Sequence, residues 1–170
     1  MISQQQIDDI VTWDGLREFG HFVLSYCEND GLPDYDQIDL TRVPRIVPNI
    51  FVLDERKFET TDKLMFNFAG GELTKVHGKT LLNEDAFEVF ANDVHFEEIS
   101  SLYRKSLAEK LTSYTKRYYE QIGDFGKKEW KTTEALFFPC SSDGETVNWG
   151  IGCAHYSIGI SNGQNVYLHF

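Results

Sequence analysis

Between residues 5 and 28 the apolar positions fall at Ile7, Ile10 and Val11, then at Leu16, Phe19, Phe22, Val23 and Tyr26. Spacing of three and four puts them on one broad stripe and predicts an amphipathic N-terminal helix. Gly15 and Gly20 each weaken such a helix by up to about 1 kcal/mol relative to Ala, which leaves open two helices with a break. The helix should stop at Asn29-Asp30-Gly31, ahead of Pro33. Residues 34–48 read as a connecting arm, since Pro44 and Pro48 deny them a regular helix, although Val43, Ile46 and Val47 can still pack on a sheet.

Residues 50–53 form a short apolar run and residues 64–69 an alternating one, an antiparallel pair joined across a polar turn. The second run meets Gly70-Gly71, where a tight strand-to-helix turn needs glycine to relieve backbone crowding, and the short helix that follows ends at Gly78. A further short helix is expected over 83–90. A longer one, capped by Asp93, is expected over 94–110 with Ile99, Leu102, Tyr103 and Leu107 inward. Three strands follow at 113–121, 128–138 and 147–157, separated by the turns Gly123-Asp124-Phe125-Gly126 and Ser141-Ser142-Asp143-Gly144. Runs of strands separated from runs of helices make the class α+β with an antiparallel sheet. Residues 162–170 fit either a frayed tail or a last edge strand.

Composition narrows the function. The 170 residues include thirteen Phe, eight Tyr and three Trp, enough apolar surface for one real core and suited to strands. A formal charge of -11 repels phosphate backbones and anionic lipid, so neither nucleic acid nor a membrane surface is an expected partner. The basic residues Arg104, Lys105, Lys116 and Arg117 are interleaved with Glu109 and Glu120 and read as solvated faces. No apolar run is long enough to span a bilayer and the N-terminus lacks a secretory pattern, so a cytoplasmic protein is expected. Cys27, Cys140 and Cys153 are odd in number and far apart, which supports neither a disulfide framework nor a zinc site.

Two strands, a cluster of helices ending in a long one, then three strands is the plan of a PAS domain. The wording resembles the small single-PAS proteins common in alphaproteobacteria. The resemblance rests on Leu32-Pro33, Ile38-Asp39, the run from Val43-Pro44-Arg45 to Leu53-Asp54, Phe66-Asn67-Phe68-Ala69-Gly70 with a Phe-like His77 before Gly78, and Phe138-Pro139-Cys140-Ser141-Ser142-Asp143-Gly144. It covers about residues 19–156. It implies a five-stranded antiparallel sheet with helices on one face, preceded by the amphipathic N-terminal helix. Residues 1–33 are then a helical extension, 34–158 the PAS core and 159–170 a tail or edge strand. It also implies a stand-alone sensory or adaptor role, without an attached output domain, rather than an enzyme; fold does not fix activity.

Such a scaffold can hold a small apolar ligand between sheet and long helix. Leu64, Phe66 and Phe68 alternate onto one face, as do Tyr114 with Tyr118 and Leu136 with Phe138, while Tyr156 follows the small residues Gly150, Gly152 and Ala154. The candidate cavity set is Phe66, Phe68, Leu102, Tyr103, Tyr118, Phe138 and Tyr156. Aromatic faces at strand spacing suit a solid core equally, and the alternative is then a ligand-free protein-binding or dimerisation module. The candidate interface, for a homodimer or a signalling partner, is Leu16, Phe19, Phe22 and Val23 with Trp130 and Trp149.

The cofactor is unassigned. Haem needs an axial imidazole in a dry pocket, but helix capping or surface hydrogen bonding accounts for His77, His95 and His155 as well, and no pair has metal-ligand spacing. A flavin photosensor would carry an Asn-Cys-Arg tripeptide, which does not occur. No nucleophile elbow, phosphate loop or zinc-protease motif is present, so no catalytic residue is assigned.

Overall fold

A six-stranded antiparallel sheet separates two helical layers. The computed structural model describes residues 1–28, 31–56, 58–122, 128–159 and 163–170. Strands β1 (Ile50–Asp54), β2 (Met65–Ala69), β3 (Ser113–Ile122), β4 (Lys128–Cys140), β5 (Trp149–Gly159) and β6 (Val166–His169) lie in the order β2-β1-β5-β4-β3-β6. The sheet therefore has six strands, not five. The extra one comes from the segment that fitted either tail or edge, and it pairs with β3 from Ser113↔His169 to Lys116↔Val166.

On one face lie α1 (Gln4–Ile10) and α2 (Asp14–Leu24); on the other lie α3 (Phe58–Thr61), α4 (Gly71–His77), α5 (Ala86–Phe90) and α6 (Phe96–Glu109). The apolar stripe at the N-terminus is thus realised as two helices. Ser3 and Gln6 form a reciprocal capping box at the start of α1, and its end at Val11 turns extended. Leu16, Phe19 and Val23 are fully buried and Phe22 nearly so, packed with Ile50, Val52, Leu136, Phe138 and Ile151. The second core, on the other face, joins Phe51, Leu53, Phe66 and Phe137 to Leu73, Leu102, Tyr103 and Leu107. Both faces of the sheet being covered, its central strands carry apolar residues at consecutive positions.

Asp93 does not cap α6 directly, as its position ahead of the helix suggested. His95 occupies the N-cap, and Asp93 Oδ1 accepts its backbone N–H at 2.8 Å. The turn after β4 is held by Asp143, which accepts from the Glu145 and Thr146 amides and the Ser141 hydroxyl. The expected helix stop at Asn29-Asp30 and the turn at 123–126 lie outside the described residues. No helix among the described residues is long and apolar enough to cross a membrane.

Candidate ligand cavity

Between the sheet and the α4–α6 layer lies a cavity of about 90 Å³. Its floor is set by cross-strand rows. One row places Arg117, Thr133 and Tyr156 side by side on β3, β4 and β5, and the next places Thr115, Ala135 and Ala154. Leu73, Val76 and His77 from α4, Phe90 from α5, and Ile99, Leu102 and Tyr103 from α6 close the other side.

The hollow expected over the small residues of β5 is largely filled. A side chain at Gly152 would meet the Phe51 ring at 2.2 Å, and one at Gly150 the Phe137 ring at 2.3 Å, so neighbouring strands supply the missing bulk. Tyr103 packs edge-on against Phe137 at 4.8 Å, and Phe66 against Phe51 at 6.1 Å. Space remains where Ala135 and Ala154 meet Arg117.

Of the residues that strand and helix periodicity assigned to this cavity, Phe66, Leu102, Tyr103 and Tyr156 lie on its side of the sheet; Phe68, Tyr118 and Phe138 do not. Phe68 is turned over by a register shift: Val52 pairs with Phe68 but Leu53 with Phe66, leaving Asn67 as the extra residue of a bulge. Tyr118 shares its face with Tyr114, which packs in the α1–α2 core, and lines a shallow surface beside Thr12 and Trp13. Phe138 is fully buried against Phe19 at 6.0 Å, because β4 presents Phe137, not Phe138, to the cavity.

The candidate interface also separates. Leu16, Phe19, Phe22 and Val23 are consumed by their own sheet. Trp149 stacks on Tyr35 at 4.5 Å and beneath the Arg56 guanidinium, while Trp130 stays 38% exposed near the far end of the β4–β5 hairpin.

Arg117 is the residue that periodicity misses. Read as part of a solvated basic run, it is 7% exposed, in phase with Thr115 and Tyr119 on the inner face. Its Nη1 donates to Asp93 Oδ2 at 2.9 Å. Burial opposes the charged form, but Asp93 outweighs it and holds the Arg117 pKa above its ordinary value. Burial raises the Tyr103 phenol to about 12 and pushes Tyr156 up as well, so both hydroxyls stay protonated. The strand pattern of one basic side chain between Thr115 and Tyr119 could have flagged Arg117, but only once both faces were known to be covered.

His77 lines the cavity, its ring 5.9 Å from Phe90 and 6.5 Å from Tyr156. Burial lowers its pKa below the ordinary 6.5, against the pull of Asp93. The unfolded chain therefore takes up this proton more readily, and stability drawn from a neutral His77 is present above 6.5 and lost as the pH falls below it. His77→Phe should flatten the fall in Tm between about pH 7 and about pH 5, measured by thermal unfolding. An unchanged slope would mean that His77 titrates as it does in the open chain.

A wider groove of about 760 Å³ adjoins the cavity, lined by Trp13, His155, Lys131 and Ile158 among others. Val76, Tyr119 and Tyr156 line both spaces and form the wall between them. Trp13 stacks on His155 at 4.3 Å and 12°, closing the groove's side toward α2.

A family model described as PAS domain matches residues 11–154. No curated protein matches the chain. Among solved structures, an RNA-binding light-oxygen-voltage receptor is similar at 18% identity and a TM-score of 0.45 over 72% of this chain, which spans only 35% of that one. The PAS domain of Bordetella pertussis BvgS is similar at 18% identity and a TM-score of 0.43, covering 75% of this chain and 88% of its own. A Rhodobacter sphaeroides LOV protein is similar at 9% identity and a TM-score of 0.44, covering 86% and 69%.

Proposed function

The chain belongs to the PAS domain family, a signalling fold, and from that premise we propose that it is a sensory module whose interior cavity takes up a small molecule. The observation that carries this reading is the partly enclosed space between sheet and α6, with a buried cation on its wall. A core evolved only to be solid would place an apolar side chain there, since burying Arg117 costs more than burying Leu unless its donors are used.

Transmission runs through contacts. Asp93 ties Arg117 to the N-cap of α6 through the His95 amide, so a ligand that alters the guanidinium's partners acts directly on the helix start. At the other side, Leu102 O lies 3.3 Å from His169 Nε2, and Thr112 and Phe170 exchange two backbone hydrogen bonds. Displacement of α6 is thereby felt at β6, the sheet edge. A ligand shifts this equilibrium only by its unequal affinity for the two positions of α6. Val76, Tyr119 and Tyr156 form the gate from the outer groove.

Native mass spectrometry of protein purified from its natural host should show a small added mass in the wild type. Ala154→Leu, which fills the space, should lack it, and amide exchange over residues 96–109 should be slower in the ligand-bound form. Absence of any added mass, together with identical exchange in the two proteins, would favour a ligand-free binding module instead.

A further inference from the structure

Arg117 is matched in charge but not in hydrogen bonding. Its one described partner is Asp93, whose Oδ2 accepts from Nη1. Its Nε–H is shielded from solvent and has no acceptor among the described residues, and His77 Nε2, also on the cavity wall, is likewise shielded and unpartnered. A guanidinium has five donors in a fixed fork, so an idle, shielded N–H on the wall of a cavity is a standing demand for an acceptor. The charge makes no such demand. With Asp93 in place the pair is neutral, and a second anion brought into the cavity would lose its hydration without a cation to meet it.

Resting on the sensory reading above, we propose that the cavity selects a small uncharged molecule bearing a carbonyl oxygen. The oxygen accepts from Arg117 Nε–H, and the carbon body packs among Tyr103, Phe90 and Ala154. The volume of about 90 Å³ equals that of about three waters and, at interior packing density, admits about four or five non-hydrogen atoms. Larger ligands require α4 or α6 to move outward. Asp93 is the residue that excludes carboxylates: it occupies the anion position on the guanidinium and is itself part of the turn that starts α6.

Three molecules of nearly equal shape separate the alternatives: acetone, acetate and isobutene. Titration of each into the ¹⁵N-labelled full chain, following the Arg117 Nε–H resonance, should show acetone binding at least about tenfold more tightly than the other two, the margin of one hydrogen bond to a charged donor. Asp93→Asn keeps an acceptor for the His95 amide but leaves the cavity with an unbalanced positive charge. In that variant acetate should gain at least about tenfold and overtake acetone. Arg117→Met should bind acetone no better than isobutene; if it does not fold, the wild type and Asp93→Asn decide the matter.

Acetate binding best to the wild type would overturn the neutral-carbonyl assignment. Isobutene binding as well as acetone would overturn recognition by Arg117 and leave the cavity sensor intact. Entry of none of the three, with only water exchanging at the site, would remove both.

Discussion

Gly70→Ala should cost about 3 kcal/mol or more, lowering Tm by roughly 6–12 °C for a domain of this size. The backbone angles are not the cause, since φ -67 and ψ 164 suit any residue. The added methyl would lie 2.3 Å from the Val47 carbonyl oxygen and 2.4 Å from that of Pro48. Both are main-chain atoms and cannot rotate away. The Gly70 amide also donates to Ile50 O at 2.8 Å, which fixes its approach to the start of β1. Relief would require parting the 47–50 segment from the β2–α4 turn, and with it the pairing of β1 and β2. Gly71→Ala is the control: among the described residues, a methyl added there meets nothing within 4 Å beyond its chain neighbours and its own helix backbone. Thermal unfolding of the two variants side by side tests this, and equal midpoints would refute the crowding argument.

Glu134→Ala should be of similar size, about 3–5 kcal/mol, and should act on the N-terminal helices. The carboxylate is 3% exposed and accepts four hydrogen bonds: from Thr12 N at 2.7 Å, Thr12 Oγ1 at 2.8 Å, Trp13 N at 3.1 Å and Tyr114 OH at 2.7 Å. It stands where the chain turns from α1 into α2 and joins that turn to the middle of the sheet. Burial, with Glu134 alongside, drives the Tyr114 phenol far above its ordinary pKa and keeps it a donor. Alanine leaves the Thr12 and Trp13 amides and the Thr12 hydroxyl without this acceptor, while the Tyr114 hydroxyl keeps the Ile10 carbonyl at 3.1 Å. Each buried donor left idle costs on the order of 1–3 kcal/mol, less at Thr12, which faces solvent. Tyr114→Phe, which removes one donor and its bond together, should cost only about 1 kcal/mol. Hydrogen exchange should then show residues 1–28 opening in Glu134→Ala while α6 stays protected. Uniform loosening of the whole chain would mean that Glu134 is not a local tether.

These two sites differ in how far they can be read from the chain. Gly70 announces itself: two glycines at the end of an alternating strand mark a turn that needs close approach, even though the partner carbonyls are unknown. Glu134 does not. Between Thr133 and Ala135 in a strand it looks like an outward-facing acid, and only the return of Thr12 and Trp13 from 121–122 positions away makes it an acceptor of four bonds. The same holds for Arg117, whose partner Asp93 lies 24 positions off in a turn.

Periodicity and turn chemistry by themselves determined the α+β class, the order of the elements apart from α3, which reads as a polar turn, and β6, which the residues leave open, the two-helix option at the N-terminus and the long helix with Leu102 and Tyr103 inward. These are local properties: the spacing of apolar residues and the backbone freedom of Gly and Pro act over a few positions, wherever the rest of the chain goes. Which face each residue serves was decided only by the tertiary structure. A single bulge at Asn67 parts Phe66 from Phe68, and the helices α1 and α2 cover the outer face, turning Tyr114, Leu136 and Phe138 into their own core. Side-chain alternation records a two-fold repeat but carries no label for inside and outside when both sides are buried. That label, and the Arg117 donor left unpaired among the described residues, exist only once distant segments have met.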